Sequence, residues 1–294
     1  MKILPLAFDS FGVRSMCTLV SVGDKNILID PGIMVTPRRE NLPPSGTELR
    51  VLDVLKNKIV SVSKEIDFIV VSHYHYDHYY PSFEQDYSKI YRNKIILCKD
   101  RRSKCNFDQR KRGKKFELDV RQLAKELIFC DGKEMERNGI KFRFSPPMWH
   151  GTSGSLEGYV LFTGIKWNNK KFLHCPDTRG PLDETNTEYI IKFDPDFLIL
   201  DGPIVEEKSV NYSTIKFEKA EQNVIRILKE SKVKTIILDH SSVRSLDFKD
   251  KLSNIYKIAD SLGKKVLTAA EFVGRPNVLL EAKRKLLWEK EKEF

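Results

Sequence analysis

The sequence predicts an α/β protein in which two sheets pack together with helices outside. One observation is the order of its segments. Each half of the chain opens on β-rich sequence and then alternates strand with helix, which suits two packed sheets better than one doubly wound sheet. A second is size and composition: 294 residues, 40% of them hydrophobic, suffice to bury a sizeable core. A third is the placement of histidines and aspartates at the carboxyl ends of predicted strands, where α/β folds usually keep their ligands.

In chain order, MKILPLAF, CTLVSV and NILID are short apolar or alternating runs divided by Gly and Asp turns, and read as strands. Pro43-Pro44 precedes Ser45-Gly46-Thr47-Glu48, a capping-box signature. Val51, Leu52, Leu55, Ile59 and Val62 then follow at helical spacing. DFIVVS (67–72) is a continuous apolar run and predicts a strand buried on both faces. A second β region contains IKFRFS (140–145), GYVLFTGIKW (158–167) and KKFLHC (170–175), with Asn168-Asn169 as the hairpin turn between the last two. A helix near 183–193, the strand DFLILD (196–201) and a helix carrying Phe217, Ala220, Val224, Ile227 and Leu228 come next. They lead into the strand TIILD (235–239). Leu279, Leu280, Leu286 and Leu287 form one stripe, predicting a packed C-terminal helix around 277–292. With no repeat or Gly/Ser linker, the chain reads as one domain over 1–294, with a basic insertion around 99–130.

Lys and Arg number 51 against 41 Asp and Glu, a net charge of +10. That balance suits an anionic partner such as nucleic acid or a phosphorylated small molecule, or equally a charge-rich surface of the kind found in heat-stable proteins. The first residues carry no secretory pattern, and no stretch approaches the ~20 apolar residues of a membrane span. The expectation is a cytoplasmic protein without a membrane partner. Five cysteines, none at C-x-x-C spacing, argue against a thiolate zinc knuckle or a disulfide framework.

Three of the six histidines lie in His73-Tyr74-His75-Tyr76-Asp77-His78, directly after DFIVVS. His240 follows TIILD, His174 and Asp177 follow or end KKFLHC, and His150 follows Pro146-Pro147 on a turn. A lone histidine is more often structural, but three within six residues with an aspartate between them predict a metal site. Imidazole suits zinc, manganese or iron, and carboxylates complete or bridge the coordination sphere. Strand alternation would aim His73 and His75 to one side, and a turn would bring Asp77 and His78 towards a second ion.

The H-x-H-x-D-H run after an apolar strand resembles the metallo-β-lactamase superfamily. Asp30 in LIDPG, His150 in MWHG, Asp177 in HCPDT and His240 in LDHSS match the family's remaining motifs in order and approximate spacing, so the resemblance spans residues 1–274. LAFDSFGVRSMCT, LIDPG and SHYHYDHY together resemble an uncharacterised archaeal branch of predicted metal-dependent hydrolases. The resemblance implies a four-layer αββα sandwich with two divalent metal ions at one rim, zinc first and manganese or iron as alternatives. His73, His75 and His150 would hold one ion. Asp77, His78 and His240 would hold the other, and Asp177 would bridge them together with a nucleophilic hydroxide. Asp77 would also orient that nucleophile. Asp30 would fix the histidine loop by hydrogen bonds, and His174 would be structural. Aspartate at 177 matches phosphodiesterase and thioesterase branches rather than antibiotic-cleaving members with a cysteine ligand. His75 stands where oxygen-reducing diiron relatives carry glutamate.

Substrate is addressed by the stretch KDRRSKCNFDQRKRGKK (99–115), with nine basic and two acidic residues in 17. It would either track a phosphate backbone, with Phe107 and Phe116 stacking on bases, or form a solvated helical face. Arg110, Lys111, Arg112 and, in a separate turn, Arg14 are the candidate anion contacts. The expected activity is therefore metal-dependent hydrolysis of a phosphodiester or other phosphoester, nucleic acid included. The alternative is a small-molecule acyl hydrolase acting on a thioester, lactone or ester. A nucleic-acid binder with a decayed metal site is disfavoured, because the ligand set is complete.

Overall fold

The structure, a computed structural model, describes residues 1–205 and 214–291. Its first sheet holds six strands in chain order: β1 (Lys2–Phe8), β2 (Met16–Val22), β3 (Lys25–Ile29), β4 (Phe68–Val71), β5 (Ile95–Cys98) and β6 (Glu126–Phe129). The chain continues through β7 (Glu134–Arg137), β8 (Ile140–Phe144), the small pair β9 (Met148–Trp149) and β10 (Tyr159–Val160), then β11 (Thr163–Trp167), β12 (Lys170–Cys175), β13 (Phe197–Asp201), β14 (Thr235–Asp239) and β15 (Lys265–Leu267). Seven of these form the second sheet, in the order β15-β14-β13-β12-β11-β8-β7. The helices are α1 (Gly46–Val62), α2 (Tyr87–Tyr91), α3 (Phe107–Arg121), α4 (Glu184–Phe193), α5 (Thr214–Glu230), α6 (Phe248–Lys251), α7 (Ser253–Ser261), α8 (Ala269–Phe272) and α9 (Arg284–Glu291).

Strand period 2 builds the layers. Ile27, Ile29, Phe68 and Val70 of the first sheet meet Phe142, Ile165, Ile199 and Ile237 of the second in one apolar cluster. The residues between them point the other way. Leu28, Ile69 and Val71 pack with Leu55 and Ile59 of α1 and Phe116 and Val120 of α3. Leu198, Leu200, Ile236 and Leu238 pack with Ile190, Val224, Ile227 and Ile255 of α4, α5 and α7. Three apolar interfaces separate four layers, the predicted αββα sandwich. Ser45 and Glu48 make the predicted capping box of α1. Asn168 and Asn169 adopt φ of 43° and 61°, the left-handed pair a tight hairpin needs.

Three readings of the sequence change. GYVLFTGIKW is not one strand but β10 and β11. At the break, Leu161 N–H donates to the Ser72 carbonyl at 3.0 Å and Phe162 N–H to Ser145 Oγ at 2.9 Å, so these amides leave the ladder. The C-terminal helix spans only Arg284–Glu291; position 292 lies outside the described residues. Leu279 and Leu280 are buried ahead of it while Leu286 is 49% exposed, so the leucine stripe is not a single helix face. The residue that docks this helix is Arg284, buried against Glu48 with Nη2 to Oε1 at 2.8 Å. Finally, the basic stretch is the crossover joining β5 to the parallel β6, through α3. Much of its charge is paired internally: Lys99 with Asp131, Arg101 with Glu117, Arg102 with Asp100 and Lys115 with Asp119. Phe116 is buried in the core and unavailable for stacking; Phe107 is 81% exposed.

Candidate metal centre

β3 runs parallel to β4, and β12, β13 and β14 run parallel to one another. Their carboxyl ends deliver Asp30, the 73–78 loop, Asp177, Asp201 and His240 to one rim of the sandwich. His150 arrives on the turn after β9. Asp30, Asp177 and His240 have φ of 48°, 52° and 63°. Left-handed backbone at non-glycine residues is costly, less so for asparagine, aspartate and histidine, and clusters at functional sites. Gly32 is required by contact: a Cβ there would lie 2.3 Å from the backbone nitrogens of His78 and Tyr79. The LIDPG segment thus packs directly under the histidine loop.

Asp177 is the centre of the arrangement. Its Oδ2 lies 2.8 Å from His73 Nε2, 2.9 Å from His150 Nε2, 3.3 Å from His78 Nε2 and 3.7 Å from His75 Nδ1. Its Oδ1 lies 3.0 Å from His240 Nε2. Asp77 Oδ2 stands 3.9 Å from Nε2 of both His78 and His240. Among the described residues, donor atoms fall into two groups able to hold a cation: His73, His75, His150 and Asp177, and Asp77, His78 and His240. The seven residues expected from the sequence are those brought together.

The outer ring nitrogens explain why the inner ones face inward. His78 Nδ1 lies 2.9 Å from Asp30 Oδ2, whose carboxylate also takes Ser72 N–H at 2.8 Å and Ser72 Oγ–H at 2.6 Å. His240 Nδ1 lies 2.7 Å from Asp9 Oδ2. His73 Nδ1 lies 3.0 Å from Ser72 Oγ. His150 Nδ1 comes 2.8 Å from Glu157 Oε2 without the alignment of a hydrogen bond. An Nδ1–H held by a carboxylate leaves an Nε2 lone pair for a metal. Two features fit a cation in the middle. His78 Nε2 is buried with no hydrogen-bond partner among the described residues, and His73 Nε2 faces His75 Nδ1 at 3.0 Å, two ring nitrogens converging on one point. His174 takes no part: it is buried, with Nε2 3.0 Å from the Met16 carbonyl, linking the two sheets.

With only the carboxylates as counter-charge, the site polarises strongly. Burial favours the neutral form of Asp177, but His78, His150 and His73 hold its carboxyl well below the usual range. Burial opposes charge on His150 and His240 as well. Asp177 and Glu157 push His150 up to about 9, and Asp9 and Asp177 push His240 up to about 10. Burial raises Asp239 to about 6, with Asp9 adding to it, although Ser10, Ala269 and His240 N–H groups bond its carboxylate.

Four arginines line the same cleft of ≈ 300 Å³: Arg14, Arg112, Arg179 and Arg244. Arg14 is held bidentate by Glu281, at 2.6 and 2.7 Å. Arg244 is held by Asp9 at 2.8 Å and approaches His240 Nε2 at 3.2 Å. Arg179 pairs with Glu157. The Arg112 guanidinium lies 4.6 Å over the Tyr76 ring. Arg110 and Lys111 sit exposed on α3, and Arg110 does not line the cleft. Asp9, Glu157, Arg179, Asp201 and Arg244 were not assigned from the sequence. Only Asp201 carried a signal, as the strand-end aspartate of DFLILD.

Fold and donors together define a protein of the metallo-β-lactamase type, and the superfamily's profile matches residues 11–80. A UPF0282 protein of Metallosphaera sedula is 38% identical over 98% of this chain and 93% of its own length. Another, of Methanocaldococcus jannaschii, is 38% identical over 97% of this chain and 96% of its own. The chain belongs to the UPF0282 family of the metallo-β-lactamase superfamily. Among solved structures, an isothiocyanate hydrolase from Delia radicum gut bacteria superposes with a TM-score of 0.54 at 15% identity, covering 91% of this chain and 95% of that one. That likeness concerns the fold. Among the described residues no helix is long and apolar enough to cross a membrane.

Proposed function

We propose that this metal-dependent hydrolase of the metallo-β-lactamase superfamily cleaves a phosphoester at a two-ion centre. His73, His75 and His150 would hold one ion, Asp77, His78 and His240 the other, and Asp177, within reach of both groups, would serve both. Two divalent ions bound there would activate a water and polarise the scissile bond. Zinc suits the donor set, with manganese or iron(II) as alternatives. Asp77 would orient the attacking water and take up its proton. The water oxygen would join phosphorus as the ester P–O bond breaks, and the departing oxygen would take the proton that Asp77 received from the water.

The observation that carries the substrate class is the guanidinium lining. Arg14, Arg112, Arg179 and Arg244 face the four carboxylates Asp77, Glu157, Asp177 and Asp201, and Glu281 and Asp9 stand behind Arg14 and Arg244, so two divalent ions would leave the site about +2. An anionic substrate gains from that field, and a neutral thioester or lactone gains little. Arg112 is the best placed of the four to bind non-bridging phosphate oxygens, because its planar face rests on Tyr76 and, among the described residues, its N–H groups meet the Tyr74 carbonyl at 3.5 Å and no carboxylate. The experiment is a rate comparison on protein loaded with Zn²⁺ or Mn²⁺, using bis-p-nitrophenyl phosphate against a panel of thioesters, lactones and carboxylic esters. Diester turnover with Arg112→Ala reducing it by about 10–100-fold supports the reading. Turnover confined to the acyl panel replaces it with acyl hydrolysis.

A further inference from the structure

We propose that a second pocket beside the metal cleft binds the aromatic base of a nucleotide-type substrate. This rests on the phosphoester reading and names its substrate class. The pocket, ≈ 340 Å³, lies between the segment after the histidine motif and α3. Tyr76, Phe83 and Tyr87 supply an aromatic side, and Lys111 and Arg112 a basic one. Tyr76 and Arg112 also line the metal cleft, so their stacked pair is a wall common to both spaces. A phosphate on one side of that pair would place its aromatic substituent on the other.

Three observations point to such a ligand. Phe83 stands edge-on to Tyr76 at 5.4 Å and is still 67% exposed, a large ring left in water beside an ordered aromatic neighbour. Tyr87 is 7% exposed, and its buried hydroxyl has no hydrogen-bond partner among the described residues. As the Tyr87 ring turns outward, the polar edge of a base would pair with it, whereas a plain hydrocarbon would leave it unpartnered. Lys111 is exposed and makes no ion pair among the described residues, and with Arg112 and Lys115 it sets three cations against the two carboxylates, Asp108 and Asp119, that line the pocket. An aromatic surface, an unsatisfied polar atom and a net positive lining next to an arginine-lined cleft together select an aromatic ligand that carries phosphate.

Two measurements test this. The first is equilibrium binding of adenosine 5′-monophosphate to the full chain, with and without added Zn²⁺, in the wild type, Phe83→Ala and Lys111→Ala. Both side chains are exposed, so neither substitution threatens folding. Each variant should weaken binding by about 5–10-fold, in line with the loss of one stacking or charge contact. A pentanucleotide competing far better than the mononucleotide identifies a strand end as the source of the base; equal competition identifies a free nucleotide. Both outcomes support the pocket. The second measurement compares kcat/KM for the p-nitrophenyl ester of thymidine 5′-monophosphate and for methyl p-nitrophenyl phosphate. The preference for the nucleoside ester should fall about tenfold in Phe83→Ala. Unchanged nucleotide binding and an unchanged preference in both variants overturn the inference, even if both esters are hydrolysed. Phe83-dependent binding with neither ester hydrolysed leaves the pocket standing and removes the phosphoesterase reading instead.

Discussion

Asp9 Oδ2 lies 2.7 Å from Nδ1 of His240, although the two residues are 231 apart in the chain. The contact joins the turn after β1 to the turn after β14, and so ties the first sheet to the second at the rim of the site. Asp9 also holds Arg244 at 2.8 Å, placing one carboxylate behind both a candidate ligand and a cleft-lining cation.

Replacing Asp9 by Asn keeps the shape but removes the charge that fixes the His240 tautomer. Zn²⁺ affinity, measured by competition with a chromophoric chelator, should drop by about 10–100-fold while the far-UV circular dichroism is unchanged. Equal affinities in variant and wild type would make Asp9 a packing residue only.

Metal uptake should release protons. Against burial, Asp177 and Glu157 push His150 up to about 9 and Asp9 pushes His240 up to about 10, so without an ion both favour the protonated form near neutral pH. A ligand nitrogen must be unprotonated, so the ion competes with protons and affinity rises with pH, by up to about tenfold per unit for each proton displaced. Calorimetric titrations in buffers of different ionisation enthalpy check this. The observed heat should vary between buffers at pH 7, and the variation should fade as pH rises through 9 to 10. Buffer-independent heat at pH 7 would contradict the charge state assigned to these histidines.

The buried pair Arg284–Glu48 sets a stability prediction that separates it from the leucines nearby. Glu48 already closes the capping box of α1, so Arg284→Ala leaves a buried carboxylate short of its counter-charge. Urea denaturation should show a loss of about 3–5 kcal/mol. Leu286→Ala, at a residue 49% exposed, should change stability by less than about 0.5 kcal/mol. The reverse ranking would restore the leucine stripe as the docking face of the C-terminal helix.

These cases show what the sequence can and cannot reveal. The motif HYHYDH is legible because one short loop carries four donors in succession; Asp177 and His240 follow at strand ends, and His150, on a turn, joins them through the family resemblance. The capping box is legible because its partners are three residues apart. Asp9 and Arg244 are not, since their roles exist only once β1 and β14 are brought to the same rim. The leucine stripe misleads because Leu279 and Leu280 precede the helix that holds Leu286, so helical spacing does not apply across them. Phe116 was open to correction from spacing alone: Gln109, Gly113, Phe116 and Val120 share the buried face of α3. Gly113 is small there because a Cβ would meet the Tyr74 ring at 2.6 Å.

Asp177 stands between the two donor groups, 2.8 Å from His73 and 3.0 Å from His240, and is expected to serve both metal positions. The direct test is the number and location of bound ions, by elemental analysis and anomalous scattering, in the wild type and Asp177→Ala. The wild type should hold two ions per chain, one among His73, His75 and His150 and one among Asp77, His78 and His240, and the variant should fail to hold the pair. A wild-type protein that binds no ion at these residues after incubation with Zn²⁺, Mn²⁺ or Fe²⁺, or that keeps both ions without Asp177, would contradict it.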